Sequence, residues 1–359
     1  MNADKRITVK VGSNVLTRPD GTLDITRMSA LVDQIAQLHR AGREVILVSS
    51  GAVAAGRSEL HPLRKTDDVE RRQLFSAVGQ AKLINHYYEL FREYGIAVGQ
   101  VLTTKESFGT RRHYLNQRNC MEVMLDNGVI PIVNENDTIS VTELMFTDND
   151  ELSGLIATMM NAGLLILLSN VDGIYTGTPG GADSKLIPEV AADDRLTDYI
   201  RASHSDFGRG GMLTKTTIAR QVAAEGIAVL IANGKREHIL TDLLQHPDTT
   251  PHTRFMPAAA PISGVKKWIA HSSGFAKGAL HLNEEAGRVL RSDRVVSILP
   301  IGITHVEGEF EKDDIVRIID SNGRQIGVGK TAYGSAQIRT LVGRRGGRAV
   351  VHYDYLYLE

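Results

Sequence analysis

Short apolar runs of β-forming residues alternate with helical patterns along the first two thirds of the chain, and this alternation restricts the fold more than any other feature. The runs are "ITVKV" (7–11), "EVILV" (44–48), "IAVGQVL" (96–102), "VIPIV" (129–133), "LLILL" (164–168) and "IAVLIA" (227–232). Between them, "RMSALVDQIAQLHRAG" spaces apolar residues by three and four and predicts a helix ended by Gly42. "ELSGLIATMMNAG" repeats the spacing at Leu152, Leu155, Ile156, Met159 and Met160, with Gly163 as its predicted stop. Strands apolar throughout, alternating with helices, predict an α/β fold with a largely parallel sheet covered on both faces, a three-layer α/β/α sandwich.

At 359 residues the chain exceeds the usual size of one core, which predicts two domains. The segment 246–264 holds four of the ten prolines, so a domain transition is placed there. Beyond it, "DDIVRIIDSNGRQIGVGKTAYG" reads as two strands about an Asn322-Gly323 turn and "RAVVHYDYLYLE" as a final strand, a small β-rich module. The expected boundaries are a first domain at 1–258, a linker at 259–273 and the β-rich domain at 274–359.

Apolar runs stay short of the ~18 residues of a membrane span, and the opening "MNADKRITVKVG" has no signal-peptide segment, so a cytoplasmic location is expected. With 41 basic and 42 acidic side chains, no global field draws the chain to nucleic acid or an anionic membrane. A single cysteine, Cys120, excludes an internal disulfide and a cysteine zinc cluster. Its place in "LNQRNCMEVMLDNG", an amphipathic pattern, predicts a buried small residue.

In parallel sheets ligands bind beyond the carboxyl ends of the strands. Those ends read "KVGSN", "SSGAVAAG", "TTK", "NEND", "SNVDG" and "ANGK", small, polar or glycine-bearing, and predict one cleft assembled from several of them. After the fourth run, Glu135, Asp137, Glu143, Asp148, Asp150 and Glu151 fall within 21 residues. A metal cage, an acid/base pair and a pocket for a cationic substrate are the candidates. An EF-hand fails because Leu152 and Ser153 stand where Asp or Asn and Gly are needed, and no His pair supports zinc. Thr147 and Asp150 fit a capping box and Glu151 suits a helix dipole, whereas Asp148 and Asp150 divide between capping and ligand contact.

Lys10 with Gly12 and Ser13, the Ser50, Gly51 and Ala52 helix start, and the loop Gly208, Gly210, Gly211 before Thr214 and Lys215 each suit an anion. Neither a Walker A loop nor a G-x-G-x-x-G turn is present.

Together, "VKVGSNVLT", "SSGAVAAGR", "NENDT", "FTDNDELSGLIA", "LLSNVDGIYT" and "GRGGMLTK", in this order over roughly 1–255, resemble the motif set of the glutamate 5-kinases, the gamma-glutamyl kinases of the amino acid kinase family. The tail resembles a PUA domain. The resemblance implies the amino acid kinase fold and transfer of the γ-phosphoryl of ATP to the side-chain carboxylate of L-glutamate. The product would be L-glutamyl 5-phosphate, in the first step of proline biosynthesis, with proline as feedback inhibitor overlapping the glutamate site. A carboxylate with a pKa of about 4.3 is already ionised, so no catalytic base is required.

By the same resemblance Lys10 and Lys215 flank the transferred group and Asp150 orients both. Gly12 and Ser13 lend amides to phosphate, while Ser169, Asn170, Gly210, Gly211, Met212 and Lys215 hold the nucleotide. Ser50, Gly51, Asp137 and Asn149 take the glutamate, with its ammonium on Asp137. Some members have an acid where Asn170 stands. Mg2+ is held mainly by phosphates, and no protein metal ligand is expected. A homo-oligomer, dimer or tetramer, and functional coupling to glutamyl phosphate reductase are implied as well.

PUA domains elsewhere bind RNA, and Arg339, Arg344, Arg345 and Arg348 could touch phosphates. The near-zero net charge of the whole chain and the sparse aromatics of that loop favour a solvated loop instead. Two other readings are another carboxylate or carbamate kinase of this fold, and a catalytically inactive amino-acid sensor or RNA-binding protein. "NEND" with "FTDND" argues against the first, and Lys10, Asp150 and Lys215 together argue against the second.

Overall fold

The computed structural model describes residues 5–60, 67–109, 111–139, 146, 148–177, 181, 184–191, 211–258, 269, 276–292 and 296–358. The chain divides into two compact units, Met1–Thr104 with Gln117–Pro261, and Lys105–Asn116 with Ile262–Glu359. Strands β1 (Arg6–Val11), β2 (Glu44–Ser49), β3 (Val98–Thr103), β4 (Ile130–Glu135), β5 (Leu164–Ser169), β6 (Glu189–Val190), β7 (Ala228–Asn233) and β8 (His252–Phe255) form one sheet in the order β3-β4-β2-β1-β5-β7-β8-β6. The six predicted runs are β1 to β5 and β7. All pairings are parallel except β7 with β8. The proline-rich segment therefore contributes β8 to this sheet: Pro251 precedes the strand and Pro257 follows it, so neither removes a donor from its ladder.

The helices are α1 (Ser13–Leu16), α2 (Ile25–Arg40), α3 (Ala52–Arg57), α4 (Asp68–Arg92), α5 (Glu106–Gly109), α6 (Arg111–Asp126), α7 (Asn149–Met159), α8 (Met212–Ala224) and α9 (Ile239–Gln245). Alternate strand residues face opposite layers. Ile7, Val9, Val11, Leu164, Ile166 and Leu168 pack with residues of α2, α4 and α9. Leu165, Leu167, Val229 and Ile231 pack with Ala157 of α7 and with Ala219, Val222 and Ala223 of α8. This is the predicted three-layer sandwich.

Local signals hold in part. Asp24 caps α2 by accepting from the Arg27 amide at 3.1 Å, and Gly42 beyond its end takes φ +81°, as its predicted role requires. On α7 the cap is Asp148, whose Oδ1 accepts from the amides of Asp150 (2.9 Å) and Glu151 (3.1 Å). The predicted capping box began at Thr147, which lies outside the described residues along with Glu143, Gly208 and Gly210. The helix also stops before Gly163: Asn161 turns the chain at φ +47°, a left-handed conformation that asparagine tolerates. Cys120 is exposed, against expectation; Met121 is the residue of that pair that α6 turns into the core.

The second unit, besides α5 and the start of α6, carries β9 (Gly278–Leu282), β10 (Ile303–Gly308), β11 (Ile315–Ile319), β12 (Gln325–Thr331) and β13 (Val351–Leu358) in the order β10-β9-β11-β12-β13, with helices α10 (Glu284–Leu290) and α11 (Ser335–Leu341). Leu280, Val316, Ile318, Val328 and Val351 are among its fully buried residues. The predicted turn closes β11 on β12: Gly323 sits at φ +78°, and Asp320 Oδ1 accepts from the amides of Asn322 and Arg324, each at 2.9 Å. Among the described residues no helix is long and apolar enough to cross a membrane.

Candidate active site

The period of two along β1 decides where Lys10 points. With Ile7, Val9 and Val11 committed to the α2/α4 layer, Lys10 faces the layer of α7 and α8. There its Nζ lies 2.6 Å from Asp150 Oδ1, in the first turn of α7. The other oxygen, Oδ2, accepts from Lys215 Nζ of α8 at 2.8 Å. Asp150 is fully buried, and Lys10 and Lys215 are 4% and 8% exposed. Burial alone would push the Asp150 carboxyl up. The charges of Lys10 and then Lys215, with their hydrogen bonds, outweigh it and lower the group to about 2. One carboxylate thus holds two buried ammonium groups, an arrangement suited to neutralising a transferring phosphoryl group.

Gly12 stands beside this group. A Cβ there would lie 3.2 Å from Lys10 Nζ and 3.3 Å from Leu168 O, so glycine leaves the lysine head its room. Its own amide donates to Leu168 O at 3.3 Å, while Ser13, which opens α1, is exposed. Ser169 ends β5 and is buried, and Asn170 after it is exposed. Gly211 caps α8 with extended backbone, which sets Met212 at the helix start and Lys215 one turn in.

Ser50 and Asn149 come together. Asn149 Nδ2 donates to Ser50 Oγ at 2.8 Å and to Asn134 Oδ1 at 3.1 Å, and Asn134 Nδ2 donates to Gln80 Oε1 at 2.8 Å. Gly51 has φ +108°, and a Cβ on it would meet Leu23 Cδ2 at 3.1 Å, so backbone and space both call for glycine. The backbones of α3 and α4 touch: a Cβ on Gly79 would fall 1.8 Å from Ala52 O, and one on Gly56 1.9 Å from Phe75 O. That approach brings the first turns of α4 to the same end of the sheet. Arg72 there donates from Nε to Asp137 Oδ1 at 2.9 Å and from Nη2 to Glu135 Oε2 at 3.2 Å.

Four residues of this region escaped the sequence reading as site members. Asn134 and Glu135 were visible in "NEND", Asp148 was left between two roles, and Arg72 had no motif to mark it. Asp148 Oδ2 is buried with no partner among the described residues. Burial first, then the charge of Asp150, raises its carboxyl to about 6 although both lysines pull the other way.

Residues 5–233 match the amino acid kinase family and residues 278–352 match the PUA domain. A glutamate 5-kinase of Bacteroides thetaiotaomicron is 70% identical over 354 residues, 99% of this chain and 98% of its own length. A glutamate 5-kinase of Chlorobaculum tepidum is 45% identical over 356 residues, 99% of this chain and 97% of its own. In fold, the carbamate kinase of Giardia lamblia bound to AMP-PNP superposes with a TM-score of 0.52 at 17% identity, covering 72% of this chain and 100% of that one. The chain belongs to the amino acid kinase family, as an enzyme of its glutamate 5-kinase branch with a C-terminal PUA domain.

Proposed function

We propose that this enzyme transfers the γ-phosphoryl of ATP to the side-chain carboxylate of L-glutamate, giving L-glutamyl 5-phosphate. The observation that carries the reading is the buried Lys10–Asp150–Lys215 group at the carboxyl end of the sheet. The attacking carboxylate is ionised at neutral pH, so the chain has only to position it and to neutralise charge on the transferring oxygens. Lys10 and Lys215 supply that charge, and Asp150, shared between them, fixes both heads without removing their net positive surplus.

Ser169, Asn170, Gly210, Gly211 and Met212 are assigned to the nucleotide together with Lys10, Gly12, Ser13 and Lys215. Ser50, Gly51, Asp137 and Asn149 are assigned to glutamate. The Ser50–Asn149 contact supports the second set, since two of its members already share a hydrogen bond. Asp150 is matched by two ammonium groups, so Mg2+ would be carried by phosphate oxygens and water rather than by a protein cage. When bound it would neutralise charge on the β- and γ-phosphate oxygens.

The likeness to glutamate 5-kinases supports a place at the first step of proline biosynthesis, inhibition by proline in the glutamate pocket, a homo-oligomeric state, coupling to glutamyl phosphate reductase and a cytoplasmic location. In the PUA domain Arg339 is engaged, its Nη1 2.6 Å from Glu309 Oε1, which supports a structural role over RNA contact for that residue.

The test is ADP release with Mg-ATP and L-glutamate, repeated with L-aspartate and N-acetylglutamate, with hydroxylamine trapping any acyl phosphate. Glutamate-dependent ADP with γ-glutamyl hydroxamate is the expected result. Product from another acid alone would leave the fold and phosphoryl site in place and overturn the substrate.

A further inference from the structure

Among the described residues of the amino acid region, Arg72 has been given no part in the reaction. Arg72 gives both its Nε and its Nη2 to a single oxygen of Asp137, Oδ1, and Nη2 also reaches Glu135 Oε2. Asp137 and Glu135 are 8% and 5% exposed. Both bonds from the arginine go to Oδ1, and among the described residues Asp137 Oδ2 of this nearly buried carboxylate receives no donor. Glu135 is fixed from the other side, because its Oε1 accepts from the Phe146 amide at 2.9 Å. Next to the group lies a cavity of about 240 Å³ bordered by Ser76, Gln80, Glu135, Asp137 and Thr138. The Ser76 hydroxyl there is buried without a partner among the described residues.

We propose that Arg72 receives the α-carboxylate of the amino acid, and that the Arg72–Asp137 pair selects a zwitterion, a ligand carrying ammonium and carboxylate on one carbon. The inference rests on the amino acid site proposed above. The ammonium sits on Asp137 Oδ2 and the carboxylate on the guanidinium, so that four charges alternate and each keeps an opposite neighbour. Arginine suits the task because five N–H donors in one plane can serve more than one carboxylate. Glu135 is a positioning residue that holds the guanidinium over Asp137. Selection follows from what an incomplete ligand leaves behind. Without its ammonium, a ligand adds a third carboxylate to Asp137 and Glu135 with Arg72 as their shared counter-charge; without its carboxylate, it forgoes a charge-assisted bond to Arg72.

The experiment uses the full-length protein and three ligands: L-glutamate, 4-aminobutyrate, which is glutamate without the α-carboxylate, and glutarate, which lacks the ammonium. Both kcat/KM and calorimetric binding are measured for wild type, Arg72→Gln, Arg72→Lys and Glu135→Gln. Arg72→Gln is expected to weaken L-glutamate by about 10- to 100-fold, mostly in KM, and 4-aminobutyrate by less than about threefold. Arg72→Lys should recover part of the loss, and Glu135→Gln should show the same selectivity pattern with a smaller loss. Equal losses for L-glutamate and 4-aminobutyrate would overturn the proposal, because Arg72 would then only be propping Asp137. Should Arg72→Gln fail to fold by circular dichroism, Glu135→Gln decides by the same ratio. Wild-type protein that binds L-glutamate with this selectivity and releases no ADP would sink the kinase reading and leave the zwitterion clamp standing. Turnover of L-glutamate and 4-aminobutyrate with equal kcat/KM would sink the clamp alone.

Discussion

Two charged triads at the same end of the sheet are built with opposite composition. In one, the Asp150 carboxylate lies between the Lys10 and Lys215 ammonium groups; in the other, the Arg72 guanidinium lies between the Asp137 and Glu135 carboxylates. The first keeps a positive surplus and suits an anion in transfer, whereas the second keeps a negative surplus and suits an ammonium group. They differ in depth as well. Asp150 is fully buried, while the Arg72 side chain is 24% exposed. A deep triad drawn from β1, α7 and α8 is set by the core, and a shallower one from α4 and the end of β4 stays open to a ligand.

The largest effect expected from breaking this contrast is that of Asp150→Asn. It leaves two buried ammonium groups without their shared charge, and breaking a buried network in this way costs about 3–5 kcal/mol of stability, read by urea unfolding. The sign in pH follows from the depressed carboxyl. Its contribution is complete above the ordinary value of 3.8 and is lost as pH falls toward about 2, so the variant should lack the wild type's loss of stability across that window. A variant as stable as wild type, with the same acid limb, would show that Asp150 is not the anchor of both lysines.

Next in size is Lys10→Met, expected to lower kcat by about 100- to 1,000-fold with little change in the KM for glutamate, since it removes charge stabilisation at the transferring group. Arg72→Gln should do the reverse and act on KM. If Lys10→Met raised KM and spared kcat, the assignment of the two triads to two tasks would collapse.

How much of this was legible in the sequence follows the same division. β1 to β5 and β7 came from apolar continuity, and the members of the deep triad sit where strand ends and a helix start predict ligand contacts. Arg72 did not come through, because "ERRQ" on a polar helix start is equally a solvated face. What turns it toward Asp137 is the contact of α3 and α4 backbones at Gly56 and Gly79, a tertiary fact that no local pattern encodes. Small phase errors have small causes. Asn161 ended α7 before Gly163 because asparagine also accepts a positive φ, and Cys120 missed the core because a single 100° step on α6 separates it from Met121.

The smallest effect tests the border of the deep triad. Asp148 caps α7 through Oδ1 and leaves Oδ2 buried without a partner among the described residues. Burial, followed by the charge of Asp150, raises its carboxyl to about 6 from an ordinary 3.8. A raised carboxyl means that the folded state holds its proton more tightly than the unfolded chain. Its stabilising contribution is therefore present below 3.8 and is lost as pH rises through about 6. Asp148→Asn keeps a good capping residue and removes the titration. On going from pH 7 to pH 4 the wild type should gain about 1–2 kcal/mol relative to the variant, a figure reduced for partial exposure. The same proton increases the positive surplus around Lys10 and Lys215, so ATP should bind the wild type more tightly at pH 5.5 than at 7.5 and the variant almost equally at both. Identical pH curves for the two proteins would mean that neither burial nor the charge of Asp150 raises the Asp148 carboxyl, and that the positive surplus of the deep triad belongs to its three members alone.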